Sequence, residues 1–344
     1  MSKIKRIALL STAVIFAVVL LNSCNSGSKK QTNDLVKINF RLQWFSHSQF
    51  AGYIVAKEKG YYKEYGLDVN ILPGGPDLKP QVTVAAGTDD IAIGVPNQII
   101  AAQSNGVPLI EIAQIFQDSP NRYILKKENS IKQLSDLKGK KVGLWLGGDE
   151  VEFIAMLKSQ GMTEKDVNMI PQEFSVVPFI QDQYVCSQVT TYGEMNFLAI
   201  KGWTKDKLQV LSPKDYNSAI LGDLIFCRKD YLDKNKENVT KFLEASIKGW
   251  KYCISNPDEA LNIILKSNKE LSKDEQVLVM QSVIELITTG DAAKSGIGFI
   301  NPKDIENAER ILFESKQIDK HVDVSKVYDN SALNLVNEEI KKLK

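Results

Sequence analysis

Apolar residues along this 344-residue chain fall into three regimes. Residues 7–21 form one apolar run, interrupted only by Ser11 and Thr12, behind Lys3, Lys5 and Arg6, and residues 25–33 hold almost nothing to bury. From residue 36 onward, short apolar runs alternate with stretches whose apolar positions recur every three or four residues. That alternation predicts strands and helices in turn, and hence an α/β fold with mostly parallel sheets flanked by helices.

The opening unit is the most legible. A strand-like run ends in Trp44 and Phe45, and a helical pattern follows through Ala51, Gly52, Val55, Ala56 and Lys59. Gly60 stops the helix, and Tyr65-Gly66-Leu67-Asp68-Val69 opens a second strand, completing a β-α-β unit. Beyond it the pattern predicts helices at 79–86 and 97–105 and strands at 91–95 and 109–116. The polar segment Gln117-Asp118-Ser119-Pro120-Asn121 breaks this set. A second set follows, with strands at 141–144, 167–170, 184–190 and 208–211 and helices at 150–160 and 194–201. Residues 219–226 lead back to the first set, with helices at 236–255, 257–265 and 274–288 packed on it. Two crossings between two α/β lobes make a hinged clamshell of the kind that closes on a ligand. The expected lobes are 36–121 with 227–344 for the first and 122–226 for the second.

Composition narrows the partners. The 43 Lys and Arg against 42 Asp and Glu leave a charge of +1, and loss of Lys3, Lys5 and Arg6 with a leader moves it to about −2. Such balance gives no electrostatic footprint for nucleic acid. Residues 1–24 read as a targeting segment, since the apolar run is short for a membrane span. It ends Leu21-Asn22-Ser23-Cys24, and Ser before Cys resembles a bacterial lipobox, in which Cys24 is lipidated. A plainly secreted protein or an uncleaved anchor begins with the same pattern. Residues 25–35 form a flexible tether.

Besides Cys24, the cysteines are Cys186, Cys227 and Cys253, with no Cys-x-x-Cys pair. They read as buried apolar thiols, or as one disulfide and a leftover thiol. His47 and His321 are the only histidines, too few for a His-based metal centre. No metal, cofactor or catalytic residue is expected.

Ligands of open α/β sheets sit outside the carboxyl ends of the strands. Trp44 with Phe45, Trp145 and Tyr192 stand at such ends and are suited to stack on a planar ring, although core packing would use the same aromatics. Gly74 and Gly75 allow close backbone approach after a strand ending at Leu72, or a simple turn. Asn97 and Gln98 follow Val95-Pro96 at the same edge and offer amide hydrogen bonds. Gly147 and Gly148 leave backbone N–H groups uncovered before a helix, an anion-binding arrangement. Yet Asp149 and Glu150 follow at once, favouring a neutral or cationic ligand unless Asp149 only caps its helix. Glu194 at the start of the next helix can accept two hydrogen bonds from an amino-heterocycle. Asp118 and Asp223, near the two crossings, face either cleft or solvent, and no role follows from their positions.

A resemblance to a known family sharpens these expectations. Its carriers are Leu42-Gln43-Trp44-Phe45, Ala51-Gly52-Tyr53, Ala56-Lys57-Glu58-Lys59-Gly60-Tyr61-Tyr62 and Tyr65-Gly66-Leu67-Asp68-Val69. Further on come Pro73-Gly74-Gly75, the run from Leu134 to Gly143, Trp145-Leu146-Gly147-Gly148 and Thr191-Tyr192-Gly193-Glu194. Together they resemble the NMT1/THI5-like group of periplasmic solute-binding proteins. Where many members have Pro after the Trp-aromatic pair, this chain has Ser46.

The resemblance implies a monomeric receptor of an ABC importer that delivers a small heterocycle to permease and ATPase subunits. That ligand is a thiamine-pyrimidine precursor such as formylaminopyrimidine or hydroxymethylpyrimidine, or a flavin. It also implies that Trp44, Trp145 and the acid at Glu194 contact the ligand. Two alternatives stand beside it. One is a pyrimidine synthase-like enzyme using pyridoxal phosphate and its own histidine, whose cysteine-rich iron motif this chain lacks. The other is a receptor for taurine, other sulfonates or nitrate.

Overall fold

The computed structural model describes residues 35–343. The expected leader, Cys24 and most of the tether lie outside the described residues. Among these residues no helix is long and apolar enough to cross a membrane.

Ten strands form two five-stranded sheets. Sheet I holds β1 (Val36–Arg41), β2 (Leu67–Leu72), β3 (Ile91–Gly94), β4 (Leu109–Gln114) and β10 (Leu224–Arg228), in the order β2-β1-β3-β10-β4. Sheet II holds β5 (Asn121–Lys126), β6 (Lys141–Leu144), β7 (Asn168–Pro171), β8 (Cys186–Thr190) and β9 (Leu208–Leu211), in the order β7-β6-β8-β5-β9. Each sheet takes one antiparallel strand from the far side of a crossing: β10 in sheet I, β5 in sheet II. The remaining pairings are parallel, with β1 and β2 in register from Val36 opposite Leu67 to Arg41 opposite Leu72. The two orders are the same pattern, so each sheet is the core of one lobe of a clamshell.

Burial explains the strands. β3 inside the sheet and β4 at its edge are both buried at every position, as strands covered on both faces must be. One face of sheet I packs on α1 (Ala51–Glu58), α5 (Lys229–Ser255), α6 (Pro257–Ser267) and α7 (Lys273–Thr288). The other packs on α2 (Pro96–Ser104) and α8 (Pro302–Glu314). In lobe II, α3 (Val151–Ser159) and α4 (Glu194–Ile200) cover opposite faces of sheet II. α1 and α5 cross so closely that a Cβ on Gly52 would meet the Trp250 ring at 2.3 Å, and one on Gly249 the Gly52 carbonyl at 2.0 Å. Trp250 is thus core. The three described cysteines are buried and free, and burial pushes their thiols up.

Three expectations need correcting. β1 stops at Arg41, because Trp44 and Phe45 turn out of the ladder into a loop. The crossing at 117–121 gives way directly to β5, whose polar start hides a strand buried from Tyr123 onward. α8 is a further helix, with Pro302 in its first turn and Asn301 Oδ1 accepting from Lys303 N at 3.1 Å.

One carboxylate ties both crossings together. Glu152, in the first turn of α3, is 2% exposed. Its Oε1 accepts from Ile220 N at 2.6 Å in the returning crossing. Its Oε2 accepts from Ser119 Oγ at 3.1 Å and Asn121 Nδ2 at 2.6 Å in the outgoing one. Burial pushes its carboxyl up to about 7 against these hydrogen bonds.

Candidate functional site

The loops after β1 and β6 lie at the carboxyl ends of equivalent strands, and each carries a tryptophan. Trp44, from lobe I, lies 4.7 Å from the ring of Phe174, from the lobe II loop after β7. Phe174 in turn stacks on Trp145 at 6.0 Å and 27°. Phe45 packs edge-on to Trp44 at 5.5 Å. An aromatic series therefore runs across the cleft from one lobe to the other. Tyr192, half-buried, packs edge-on to Phe116 at 5.9 Å, and burial keeps its phenol protonated well above the usual range. Phe174 escapes the sequence reading; an exposed aromatic directly after the strand at 168–171 was its signal.

The acids around the cleft divide by what they hold. Glu150 Oε2 turns back to accept from Gly147 N at 3.0 Å and Gly148 N at 2.7 Å. The N–H groups expected to lie open are already covered by a carboxylate, so this loop is no anion site. Glu194 Oε2 accepts from Thr190 N at 3.0 Å and Thr190 Oγ1 at 2.9 Å, bracing the loop that carries Tyr192. Asp223, 3% exposed, accepts from Gln43 Nε2 at 2.6 Å and from Gln49 Nε2 at 3.0 and 3.2 Å. Burial pushes Asp223 up to about 7, and its charge is felt at Tyr192. Asp149 caps nothing: α3 starts at Val151 without a side-chain cap. The protein around it and the charge of Glu150 push Asp149 up to about 6, while its side chain stays exposed.

The remaining candidates position these groups. Asn97 Nδ2 donates to Gly148 O at 3.1 Å, joining the start of α2 in lobe I to the lobe II loop. Gly74 N donates to Trp44 O at 2.9 Å, and a Cβ on Gly74 would lie 2.3 Å from Leu42 O, so only glycine lets these two loops touch. A Cβ on Gly75 would sit 3.2 Å from the Phe45 ring. Gln188, buried on β8, holds the tryptophan loop by accepting from Trp145 N at 3.1 Å and donating to Asp149 O at 3.0 Å. His47 is pushed down to about 4 by burial and is neutral at pH 7. Gln49 and Gln188 lie in no motif read from the sequence, and Gln43 enters only as part of Leu42-Gln43-Trp44-Phe45; the fold alone brings them to Asp223 and Trp145. Among the described residues, no group of three or more His, Cys, Asp or Glu converges to hold a metal ion.

Two like sheets, two crossings and aromatic faces meeting between lobes define a periplasmic-binding-protein clamshell. A solved periplasmic sulfonate-binding protein from Methylobacillus flagellatus superposes with a TM-score of 0.68 over 90% of this chain and 96% of its own, at 15% identity. The NMT1/THI5 like family model matches residues 47–260, and the chain belongs to that family. Its relatives include a formylaminopyrimidine-binding protein of Halalkalibacterium halodurans, 26% identical over 75% of this chain and 78% of that protein. A riboflavin-binding protein of Chloroflexus aurantiacus is 24% identical over 86% of both chains. A 4-amino-5-hydroxymethyl-2-methylpyrimidine phosphate synthase of Saccharomyces cerevisiae is 27% identical over 69% of this chain and 73% of that protein.

Proposed function

We propose that this protein is the solute receptor of an ABC importer, capturing a small planar, amine-bearing heterocycle between lobes 36–121 with 227–344 and 122–226. The observation that carries the reading is the aromatic series Trp44–Phe174–Trp145, which offers ring faces from both lobes at one cleft. Stacking on such faces adds about 0.5–1.5 kcal/mol per aromatic pair beyond area burial. Trp44, Phe45, Trp145 and Tyr192 supply the walls, Gly74, Gly75, Gly147 and Gly148 shape the loops, and Asn97 and Glu194 brace them. Function is a difference in ligand affinity between open and closed forms, with no bond made or broken. A thiamine-pyrimidine precursor is the first ligand and a flavin the second, in keeping with the relatives named for such compounds.

Sulfonate or nitrate fits less well, because Glu150 covers the backbone donors an anion would need. For synthase chemistry the cleft offers His47, which is partly buried and edge-on to Phe50 at 5.5 Å. The proposal extends to the N-terminus: export, lipidation of Cys24 and attachment to the membrane beside permease and ATPase subunits, the receptor itself being a monomer. Radiolabelled palmitate should enter the wild type and not Cys24→Ser.

The test of the ligand is thermal unfolding with saturating formylaminopyrimidine, hydroxymethylpyrimidine, thiamine, riboflavin and taurine in turn. A ligand at 100 times its Kd adds about 2.7 kcal/mol, a shift of some degrees. A pyrimidine or flavin shift is expected; a shift with taurine alone overturns the reading.

A further inference from the structure

Glu111, on β4, is a buried acid that the ligand cleft does not use. None of the residue reaches solvent, and neither carboxylate oxygen has a hydrogen-bond partner among the described residues. Its backbone is held on both sides: Glu111 N donates to Val327 O at 2.8 Å, and Asp329 N donates to Glu111 O at 2.9 Å, so this edge strand is covered and pinned. Burial pushes the carboxyl up to about 8. A proton there would add an O–H without giving it an acceptor. Buried polar groups left unpaired are rare in folded proteins and call for an ion or a water from outside the chain.

The residues facing Glu111 decide between the two. It lines a gap with Gln114, Asn301 and Asp304, bounded by Pro96 at the start of α2 and Leu221 in the returning crossing. The gap is too narrow for a water molecule, and no Lys, Arg or His lines it. Gln114 donates its amide N–H groups to Phe116 O, Gly222 O and Asp223 O, which leaves Oε1 as its open atom. Asn301 takes the N–H groups of Lys303 and Asp304, so these donors in the first turn of α8 are not free for Glu111. The Asp304 carboxylate accepts no hydrogen bond or ion pair among the described residues, and being only half-buried it gives the gap an opening to solvent. Oxygen acceptors therefore meet here with no positive group between them.

From this arrangement we propose that Glu111, Asp304, Gln114 and Asn301 form a calcium site on the face of sheet I that packs on α2 and α8. Carboxylate and amide oxygens are the hard donors calcium takes, in irregular geometry and at about 2.3–2.6 Å, closer than the roughly 2.7–2.8 Å at which a water oxygen would sit. A gap that excludes water can thus still close on a bare ion. Magnesium fits less well, because it keeps several of its waters. The two carboxylates match the double charge. Because Gln114 also holds the carbonyls of Gly222 and Asp223, an ion on its Oε1 ties the start of α8 to the returning crossing.

The experiment uses the full chain, stripped with a chelator and then melted in calcium, magnesium or sodium chloride at matched ionic strength. Calcium at about 10 mM, above the Kd of about 0.1–1 mM usual for extracellular modules, should raise the wild-type melting temperature by about 2–5 °C. Calorimetric titration should count one ion per chain. Glu111→Gln should melt higher than wild type in chelator, because it no longer buries a lone carboxylate, and should gain nothing from calcium. That pair of readouts separates a lost site from a damaged fold. Asp304→Asn should melt as wild type does in chelator and bind calcium about 10-fold more weakly, since affinity follows the charge of the ligands. A wild type that calcium stabilises no more than sodium or magnesium does, or a calcium shift that survives undiminished in either variant, overturns the inference. Neither result bears on the receptor reading, which rests on the aromatic cleft.

Discussion

Lobe I and lobe II build the same five-strand order and then treat their cleft edges differently. In lobe I, the loop after β1 carries Trp44 and a pair of glutamines whose amides close over Asp223. In lobe II, the loop after β6 carries Trp145, a glutamate folded back on its own backbone, and Asp149 left open. The first edge covers its acid with its own amides; the second leaves Asp149 without a side-chain partner among the described residues. One topology therefore supplies ring faces on both sides, while its acids are partnered differently on each.

The widest break in that comparison comes from removing the rings. Trp44→Ala and Trp145→Ala should each weaken binding by about 2–4 kcal/mol, as buried aromatic anchors do; calorimetric titration of both tells whether the walls are equivalent, and a silent Trp44 would place the whole site in lobe II. A second test contrasts two buried acids. Glu111 on β4 is fully buried with neither oxygen bonded, and burial pushes it up to about 8, whereas Glu152 in lobe II has three donors. Glu111→Gln should raise stability by roughly 3 kcal/mol at pH 7, and Glu152→Gln should lower it by about 2 kcal/mol, both read by urea unfolding.

The same acids set the pH dependence. Glu111, Glu152 and Asp223 have folded-state values of about 8, 7 and 7, above the usual carboxylate range. The folded state therefore binds more protons than the unfolded one across this window, and stability rises as pH falls from about 8 toward 5. Thermal melts over that range should show the rise, and Glu111→Gln should flatten its upper part. The smallest effect belongs to Gly147, whose φ is +112° with nothing within 4 Å of an added Cβ. Gly147→Ala should cost about 1 kcal/mol from backbone strain alone, less than Gly74→Ala, where a backbone clash adds to the loss.

What the sequence announces is what local chemistry dictates. The β-α-β opening is legible because Gly60 and Gly66 punctuate it, and Trp44 and Trp145 because they follow apolar strands. β5 is less so, since Asn121 and Arg122 begin it as a turn would begin. α8 is signalled by Asn301-Pro302 and apolar positions 305, 308, 311 and 312. The floor of the cleft is different in kind. Gln43 meets Asp223 across 180 positions of chain, and Gln49 across 174, so no window along the sequence contains both partners. Phe174 likewise gains meaning only when Trp44 arrives from the other lobe. Asp149 was visible as an acid, but its being free is a fact about the company its neighbours keep.

Glu152 gives the molecule a single axle. One side chain grips both connecting segments, so a twist in either pulls on the other. Away from that joint the lobes meet again at the cleft. There the lobes touch through contacts as slight as Asn97 on Gly148 and Trp44 on Phe174.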